Sequence, residues 1–325
     1  MLDYIDASFQ EKALSVFNYQ YENCLTYRGY CDLISVSKSQ VNVVAQIPFL
    51  PIQFFKTHYV SCKDSYEKVF KSSGTTSSLN AKHYVFKQAI YEESFINGFQ
   101  SFYGSIEDYV FLALLPSYLE QGDSSLVAMF TALIKKSSHL ESAFYLNNLK
   151  ELKSTLDICK KYKKKTILIG VTYALLDFIE SFDIDFPELI VMETGGMKGR
   201  RKELIKSELH KILKQGFKVQ NIHSEYGMTE LLSQAYSQRD GIFYPTETMK
   251  IVIRNTYNPL EILHPQKSGI INIIDLSNYY SCSFIATDDL GIVYSDGSFE
   301  VFGRNDFVDV RGCNLMLSDF IEQQQ

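Results

Sequence analysis

The chain of 325 residues has no tryptophan, and only 7 prolines and 17 glycines. So small a supply of Gly and Pro excludes a collagen-like or low-complexity chain. Long hydrophobic runs are also missing. The longest unbroken apolar run near the middle, Val110 to Leu115, has six residues, far short of the ~20 that span a bilayer. The N-terminus, MLDYIDASFQ, is acidic and polar. It lacks the basic start and apolar stretch of a secretory signal, so a cytoplasmic location is expected. Positive charge is not in excess: 32 basic residues face 38 acidic ones, a net −6. That excludes the electrostatic footprint of a general nucleic-acid binder. None of the six cysteines forms a C-x-x-C pair, and the six histidines are scattered. A structural zinc site is therefore not expected.

What is there is ordinary for a soluble globular chain, except for one surplus. Hydrophobic residues make 46% and charged residues 22%, but aromatics reach 14%, as 23 Phe and 22 Tyr. A thick core explains that, and so does a wide apolar pocket. The length suits two domains of ~150 residues or one large one. The first 60 residues read as helix and loop, ending in the Pro-bounded stretch Ile47–Ile52. Beyond residue 66, strand-like runs at Tyr109–Leu115, Thr166–Thr172, Glu188–Met192, Phe217–Ile222 and Gly269–Asp275 alternate with helix-length segments. The strongest predicted helix is Arg201–Gln215, with Leu204, Ile205, Leu209, Ile212 and Leu213 on one face and Gly216 as its cap. Repeated βαβ units imply a largely parallel sheet flanked by helices. The basic run Lys160–Lys165 reads as a solvated helix end or as a dock for an acidic partner.

Five short segments could carry chemistry. Lys71–Lys82 opens with Ser72, Ser73, Gly74, Thr75, Thr76 and Ser77. Hydroxyls and free backbone N–H groups around a glycine suit phosphate oxygens, and Lys82 adds a charge. The spacing is not that of a Walker A loop, and such a loop can equally be a polar turn. Gly195 and Gly196 follow a strand-like run, where ligands of open α/β sheets bind. Tyr226-Gly227-Met228-Thr229-Glu230 supplies an aromatic face, a hydroxyl and a carboxylate. A carboxylate beside phosphate calls for a cation, and Mg²⁺ is the natural one. Thr287-Asp288-Asp289-Leu290-Gly291 is an acidic turn. Gly303-Arg304-Asn305-Asp306 and Val310-Arg311-Gly312-Cys313 close the series.

In this order and spacing, over roughly residues 70 to 313, the segments resemble the adenylate-forming superfamily of acyl-CoA synthetases, luciferases and adenylation domains. Ser72–Thr76 and the ending Val310–Leu315 are most similar to the acyl-protein synthetase (LuxE-type) family. The resemblance implies an α/β large-domain architecture with mixed and parallel sheets flanked by helices, its C-terminal mobile domain truncated. It implies an N-terminal helical part over 1–65, an adenylation core over 66–303 and a hinge-like tail over 304–325. By the same resemblance the enzyme uses ATP and Mg²⁺ to turn a carboxylic acid, expected to be fatty, into an acyl-adenylate, then moves the acyl group to a thiol.

Residue by residue, Ser72, Ser73, Gly74, Thr75 and Thr76 would hold the β- and γ-phosphates, with Lys82 near them. Gly195 and Gly196 would line the adenine site, and Tyr226, next to Gly227, would stack on the base. Thr229 would bond the α-phosphate, and Glu230 would hold Mg²⁺. Asp289 would take the ribose hydroxyls, Arg304 ribose or phosphate. Cys313, 12 residues from the end of the sequence, would accept the acyl group; read without the resemblance it is equally a buried structural thiol. An acyl reductase, carrier or transferase would be the downstream partner. The alternatives are a ligase that acylates CoA or a carrier thiol in trans, and a non-catalytic nucleotide- or acyl-binding module.

Overall fold

Asp6 starts the first helix: its Oδ1 accepts from the Phe9 backbone N–H at 2.9 Å, relieving one of the donors a helix start leaves open. The computed structural model describes residues 2–72, 79–115, 123–145, 148–195 and 204–304. Helices α1 (Ala7–Asn23) and α2 (Leu25–Leu33) precede the short strand β1 (Leu50–Pro51) and the single turn α3 (Phe54–Thr57). A hairpin of β2 (Lys68–Lys71) and β3 (Lys82–Val85) leads into α4 (Gln88–Tyr103). The middle of the chain runs β4 (Val110–Leu114), α5 (Ser125–Lys136), β5 (Ala143–Phe144), α6 (Leu149–Lys161), β6 (Thr166–Val171), α7 (Thr172–Ser181), β7 (Ile190–Thr194), α8 (Lys206–Phe217) and β8 (Ile222–Tyr226). Then come β9 (Ala235–Ser237), β10 (Tyr244–Pro245), β11 (Met249–Arg254), β12 (Ser268–Asp275), β13 (Phe284–Val293) and β14 (Phe299–Arg304).

Among the described residues the larger sheet has the order β10-β9-β8-β7-β6-β4-β5. From β5 to β8 it is parallel, and β9 and β10 close it antiparallel. Every residue of β4 and β6 is buried, as expected for strands covered by helices on both faces. The second sheet, β1-β13-β12-β11 with β14 beside β13, is antiparallel except for the β1–β13 pair. Helices α1 and α2 share its apolar core through Phe9, Phe17, Tyr27 and Cys31. This α/β architecture of mixed sheets and flanking helices agrees with the expected class. The aromatic surplus is largely core: Phe17, Phe55, Phe70, Phe95, Phe99, Phe111, Phe178, Phe217 and Phe243 are all fully buried.

Two local expectations are corrected. The helix expected at Arg201–Gln215 is α8 at Lys206–Phe217, and residues 201–203 lie outside the described set. Its inner face is Leu209, His210, Leu213 and Phe217, whereas Ile205 and Ile212 are exposed. Gly216 is not the cap. It lies within the helix where a Cβ would come 2.5 Å from Ile179 Cδ1 of α7, and Lys218 ends the helix with φ at 55°. The strand expected at Phe217–Ile222 is β8 at Ile222–Tyr226. Phe217 and Val219 are buried as the end of a helix and part of a turn, which the apolar pattern alone does not distinguish from a strand.

The basic run ends α6, and its lysines are paired in part: Lys160 with Asp185, Lys164 with Glu141, Lys165 with Asp108. Cys24, Cys31, Cys62, Cys159 and Cys282 are free and buried. Among the described residues no helix is long and apolar enough to cross a membrane.

Candidate functional site

Strand β8 ends at Tyr226, whose ring packs against Phe243 and Phe299 at 5.8 and 5.5 Å between centroids. Its hydroxyl donates to Asp289 Oδ2 at 2.7 Å. Arg304 reaches the other carboxylate oxygen of Asp289, with Nε 3.7 Å from Oδ1. Asp289 sits on β13, which pairs with β14 so that Asp289 faces Arg304. The Thr287–Gly291 segment, expected as an acidic turn, is instead part of strand β13, and it is tightly held. Thr287 Oγ1 donates to Ile271 O at 2.7 Å and accepts from Asp289 N at 3.1 Å. Buried Arg254 donates to Thr287 O at 2.8 Å, and Gln53 Nε2 to Asp288 Oδ2 at 2.6 Å. Burial pushes the Asp289 carboxyl up, against the opposing pull of Tyr226 and Arg304.

Glu230 is buried, and burial raises its pKa to about 7. Arg304 and Lys56 lower it in part, and Asp289 adds a small push upward. Among the described residues no group of three acidic, His or Cys side chains could hold a metal by itself. A single carboxylate suits Mg²⁺, which is commonly bound through one or two carboxylates and completed by substrate phosphates. Glu230, with half-buried Thr229 preceding it in the chain, fits that role.

The turn after Tyr226 lies outside the β-ladder, so its polar groups need other partners. Leu232 N and Ser233 N donate to Asp275 Oδ2 at 2.7 and 3.0 Å, and Ser233 Oγ to Asp275 Oδ1 at 2.6 Å. The Thr229 carbonyl meets His83 Nδ1 at 2.9 Å, and the Glu230 carbonyl accepts from Asn278 Nδ2 at 2.8 Å. His83 Nε2 lies 2.9 Å from Asn278 Oδ1. Burial lowers the pKa of His83 to about 4, opposed by these two contacts. Being neutral at pH 7, the ring has one proton to share between two acceptors.

At the ends of β7 and β8 lies a buried polar network. Glu193 Oε1 accepts from Ser224 Oγ at 2.6 Å and Lys206 Nζ at 2.9 Å, with His210 Nε2 at 3.4 Å. Burial would raise its pKa, but Lys206, His210 and Ser224 outweigh that and hold it at about 2. Next to it Glu225 Oε2 accepts from Thr194 Oγ1 at 2.7 Å. Burial lifts Glu225 to about 7, with the Thr194 hydrogen bond opposing and the Glu193 charge adding to the rise. Gly227 covers Glu225 so closely that a Cβ there would sit 2.4 Å from Oε1.

The structure thus gathers Tyr226, Gly227, Thr229, Glu230, Asp289 and Arg304 into one region. Gly195, at φ +69°, directly follows the neighbouring strand β7, and its carbonyl accepts from Thr172 Oγ1 at 3.0 Å. Ser72 and Lys82 stand at the β2–β3 hairpin. There the Ser72 hydroxyl accepts from Ala81 N at 2.9 Å, while Lys82 is exposed. Ser73, Gly74, Thr75, Thr76, Gly196 and Cys313 lie outside the described residues. Sequence reasoning missed His83, Asn278, Lys56 and Arg254. No local pattern marks them, because each acts through a partner more than 30 residues away.

The sequence profile of the family described as "Acyl-protein synthetase, LuxE" matches residues 130–322, more than half of the chain. The chain belongs to the acyl-protein synthetase (LuxE) family. Solved structures of adenylate-forming ligases share its fold. One is an open conformation of 2-hydroxyisobutyryl-CoA ligase in complex with 2-HIB-AMP and CoA. It is 11% identical, with a TM-score of 0.66 over 93% of this chain and 70% of that one. ATP-bound MatB from Rhodopseudomonas palustris is 16% identical, with a TM-score of 0.53 over 73% and 47%. A long-chain-fatty-acid-CoA ligase (FadD1) from Archaeoglobus fulgidus is 15% identical, with a TM-score of 0.52 over 74% and 51%. The LuxE-family chain therefore spans 70% of the first and about half of the other two. At these identities the likeness concerns the fold. No curated protein matches it significantly.

Proposed function

We propose that this LuxE-family protein uses ATP and Mg²⁺ to activate a carboxylic acid as its acyl-adenylate, and then transfers the acyl group to the thiol of Cys313. The observation that carries the first step is the cluster of Tyr226, Thr229, Glu230, Asp289 and Arg304, formed where the end of β8 and the turn after it meet the β13–β14 pair. The family assignment and the fold of ATP-using relatives support it.

In this reading Asp289 accepts hydrogen bonds from the ribose hydroxyls, with its orientation held by Tyr226. Thr229 donates its hydroxyl to an α-phosphate oxygen. Glu230 holds Mg²⁺, which neutralises phosphate charge when bound. The substrate carboxylate attacks the α-phosphorus, the bond to the β-phosphate oxygen breaks, and pyrophosphate leaves. Negative charge grows on the α-phosphate oxygens in that step, and preorganised donors lower its cost. The thiolate of Cys313 then attacks the acyl carbonyl and AMP leaves. A thiol suits this step because a few per cent is ionised at neutral pH and thiolates are strong nucleophiles. The acid is proposed to be a fatty acid, and a reductase, carrier or transferase would take the acyl group onward.

Two measurements test the steps separately. ATP–pyrophosphate exchange with a panel of acids is expected to show isotope exchange for at least one; none with any acid removes the enzyme reading. Intact mass after incubation with ATP and the active acid is expected to show one acyl addition, absent in Cys313→Ser. An addition retained in that variant places the acyl group elsewhere.

A further inference from the structure

The turn from Gly227 to Gln234 carries two of the groups assigned to the nucleotide, and among the described residues its backbone–backbone bonds are few, with Gln234 O accepting from Thr246 N at 3.1 Å at its far end. Leu231 N donates to Met228 O at 3.1 Å, and β8 has already ended at Tyr226. The side chains that restrain it come from distant parts of the chain. Asp275 takes its N–H donors at Leu232 and Ser233. His83 and Asn278 take consecutive carbonyls, those of Thr229 and Glu230, at 2.9 and 2.8 Å.

These two holding residues are themselves fixed. His83 is fully buried, with its ring edge-on to Phe55 at 5.7 Å between centroids. Asn278 is buried in the segment between β12 and β13. Its own carbonyl accepts from Gln20 Nε2 at 3.0 Å, and the same amide donates to Tyr279 O and Ser283 Oγ. His83 also lies on β3, next to Lys82 and 5 residues beyond Ser78, where the hydroxyl-rich segment ends. On an extended strand neighbouring side chains point to opposite faces. Lys82 is exposed on one face of β3 while His83 reaches inward to the 226–230 turn on the other.

We propose that His83 and Asn278 are positioning residues that aim Thr229 and Glu230 at the nucleotide by holding their carbonyls, and that His83 ties this turn to the strand leaving the hydroxyl-rich loop. The proposal rests on the adenylation reading of the turn. A carbonyl held in place restricts the backbone dihedrals beside it, and with them the direction of the attached side chain. A displacement of ~1 Å from a reactive geometry can cost ~100-fold in rate. Thr229 and Glu230 thus depend on side chains that never touch the nucleotide.

The test is ATP–pyrophosphate exchange by the full chain and by His83→Gln, His83→Phe and Asn278→Leu. Thr155→Val serves as control, a buried polar change at the Tyr145–Thr155 hydrogen bond. Each protein's thermal midpoint is measured alongside. His83→Phe and Asn278→Leu are expected to lower kcat by about tenfold or more, with the KM for the acid unchanged and the Mg²⁺ requirement raised. His83→Gln keeps a side-chain donor and is expected to recover most of the rate. Wild-type kcat in His83→Phe and Asn278→Leu overturns the proposal. So does a loss that Gln does not rescue, or one that only follows thermal stability as in the control. If wild type itself exchanges with no acid, the adenylation reading falls first and this one with it. Exchange by wild type with unaffected variants removes the positioning role alone.

Discussion

Tyr226 donates its hydroxyl to Asp289 across 2.7 Å, joining the last residue of a parallel strand to a strand of the second sheet 63 positions later. The bond crosses from one sheet system to the other at the cluster proposed to hold the nucleotide. It is largely buried, and its acceptor is a carboxylate. Such bonds contribute about 1.5–3 kcal/mol. Tyr226→Phe is therefore expected to lower unfolding stability by about that amount, as read from urea midpoints at constant slope. Tyr226→Phe, Asp289→Ala and their double variant form a cycle. Additive losses would show that the contact carries no coupling.

The carboxylates divide into two classes with opposite pH signatures. Glu225 and Glu230 rise from 4.5 to about 7, chiefly because they are buried. Asp275 and Asp289 shift in the same direction through burial. Between the unfolded and folded pKa values the folded chain holds more protons, so these groups favour folding at low pH. Their contribution is full below 4.5 and is lost as pH rises through about 7. Glu193 works the other way. Held at about 2 in the fold, it stabilises above 4.5, and that contribution is lost as pH falls through about 2. The ligand-free protein should accordingly be more stable to urea at about pH 5 than at about pH 8, and Glu225→Gln should flatten that difference. A profile unchanged by Glu225→Gln would contradict the assignment.

Glu193 and Lys206 predict an asymmetry. Glu193 is nearly inaccessible, while Lys206 keeps about a third of its side chain in water (30% exposed). Removing the carboxylate leaves a lysine that can turn to solvent. Removing the lysine leaves a buried carboxylate whose partners among the described residues are Ser224 and His210. An uncompensated buried charge costs about 3–5 kcal/mol, less here because those two partners remain. Lys206→Met is therefore expected to destabilise more than Glu193→Gln, and its penalty should grow as pH rises and Glu193 ionises. Urea unfolding of both variants at two pH values checks this. Equal losses in the two variants would contradict the predicted asymmetry.

Much of the frame was legible in the order of residues. The buried runs Val110–Leu114 and Thr166–Val171 show as strands because parallel strands covered on both faces must be apolar throughout. The Y-G-x-T-E and T-x-D-L-G segments announced themselves through residue types that phosphate and ribose chemistry needs. The boundaries of α8 and β8 were not legible. An apolar residue such as Phe217 serves equally to end a helix or begin a strand, and only its neighbours decide.

By itself, then, the sequence determined the α/β class, the family and the short segments that carry reactive groups, because these depend on composition and local spacing. Only the tertiary structure decided which groups meet and in what state of charge. Glu193 and Glu225 stand one residue from the ends of neighbouring parallel strands, and both are fully buried. Yet one is held at about 2 and the other lifted to about 7. Lys206, His210 and Ser224 outweigh burial at the first, whereas at the second burial outweighs the Thr194 hydrogen bond and Glu193 adds to the rise. Likewise nothing near His83 in the chain marks it, and its contact with Thr229 exists because a hairpin strand folds back onto a turn 146 residues away. Burial and long-range partners fix these properties, and neither is encoded in any short stretch of residues.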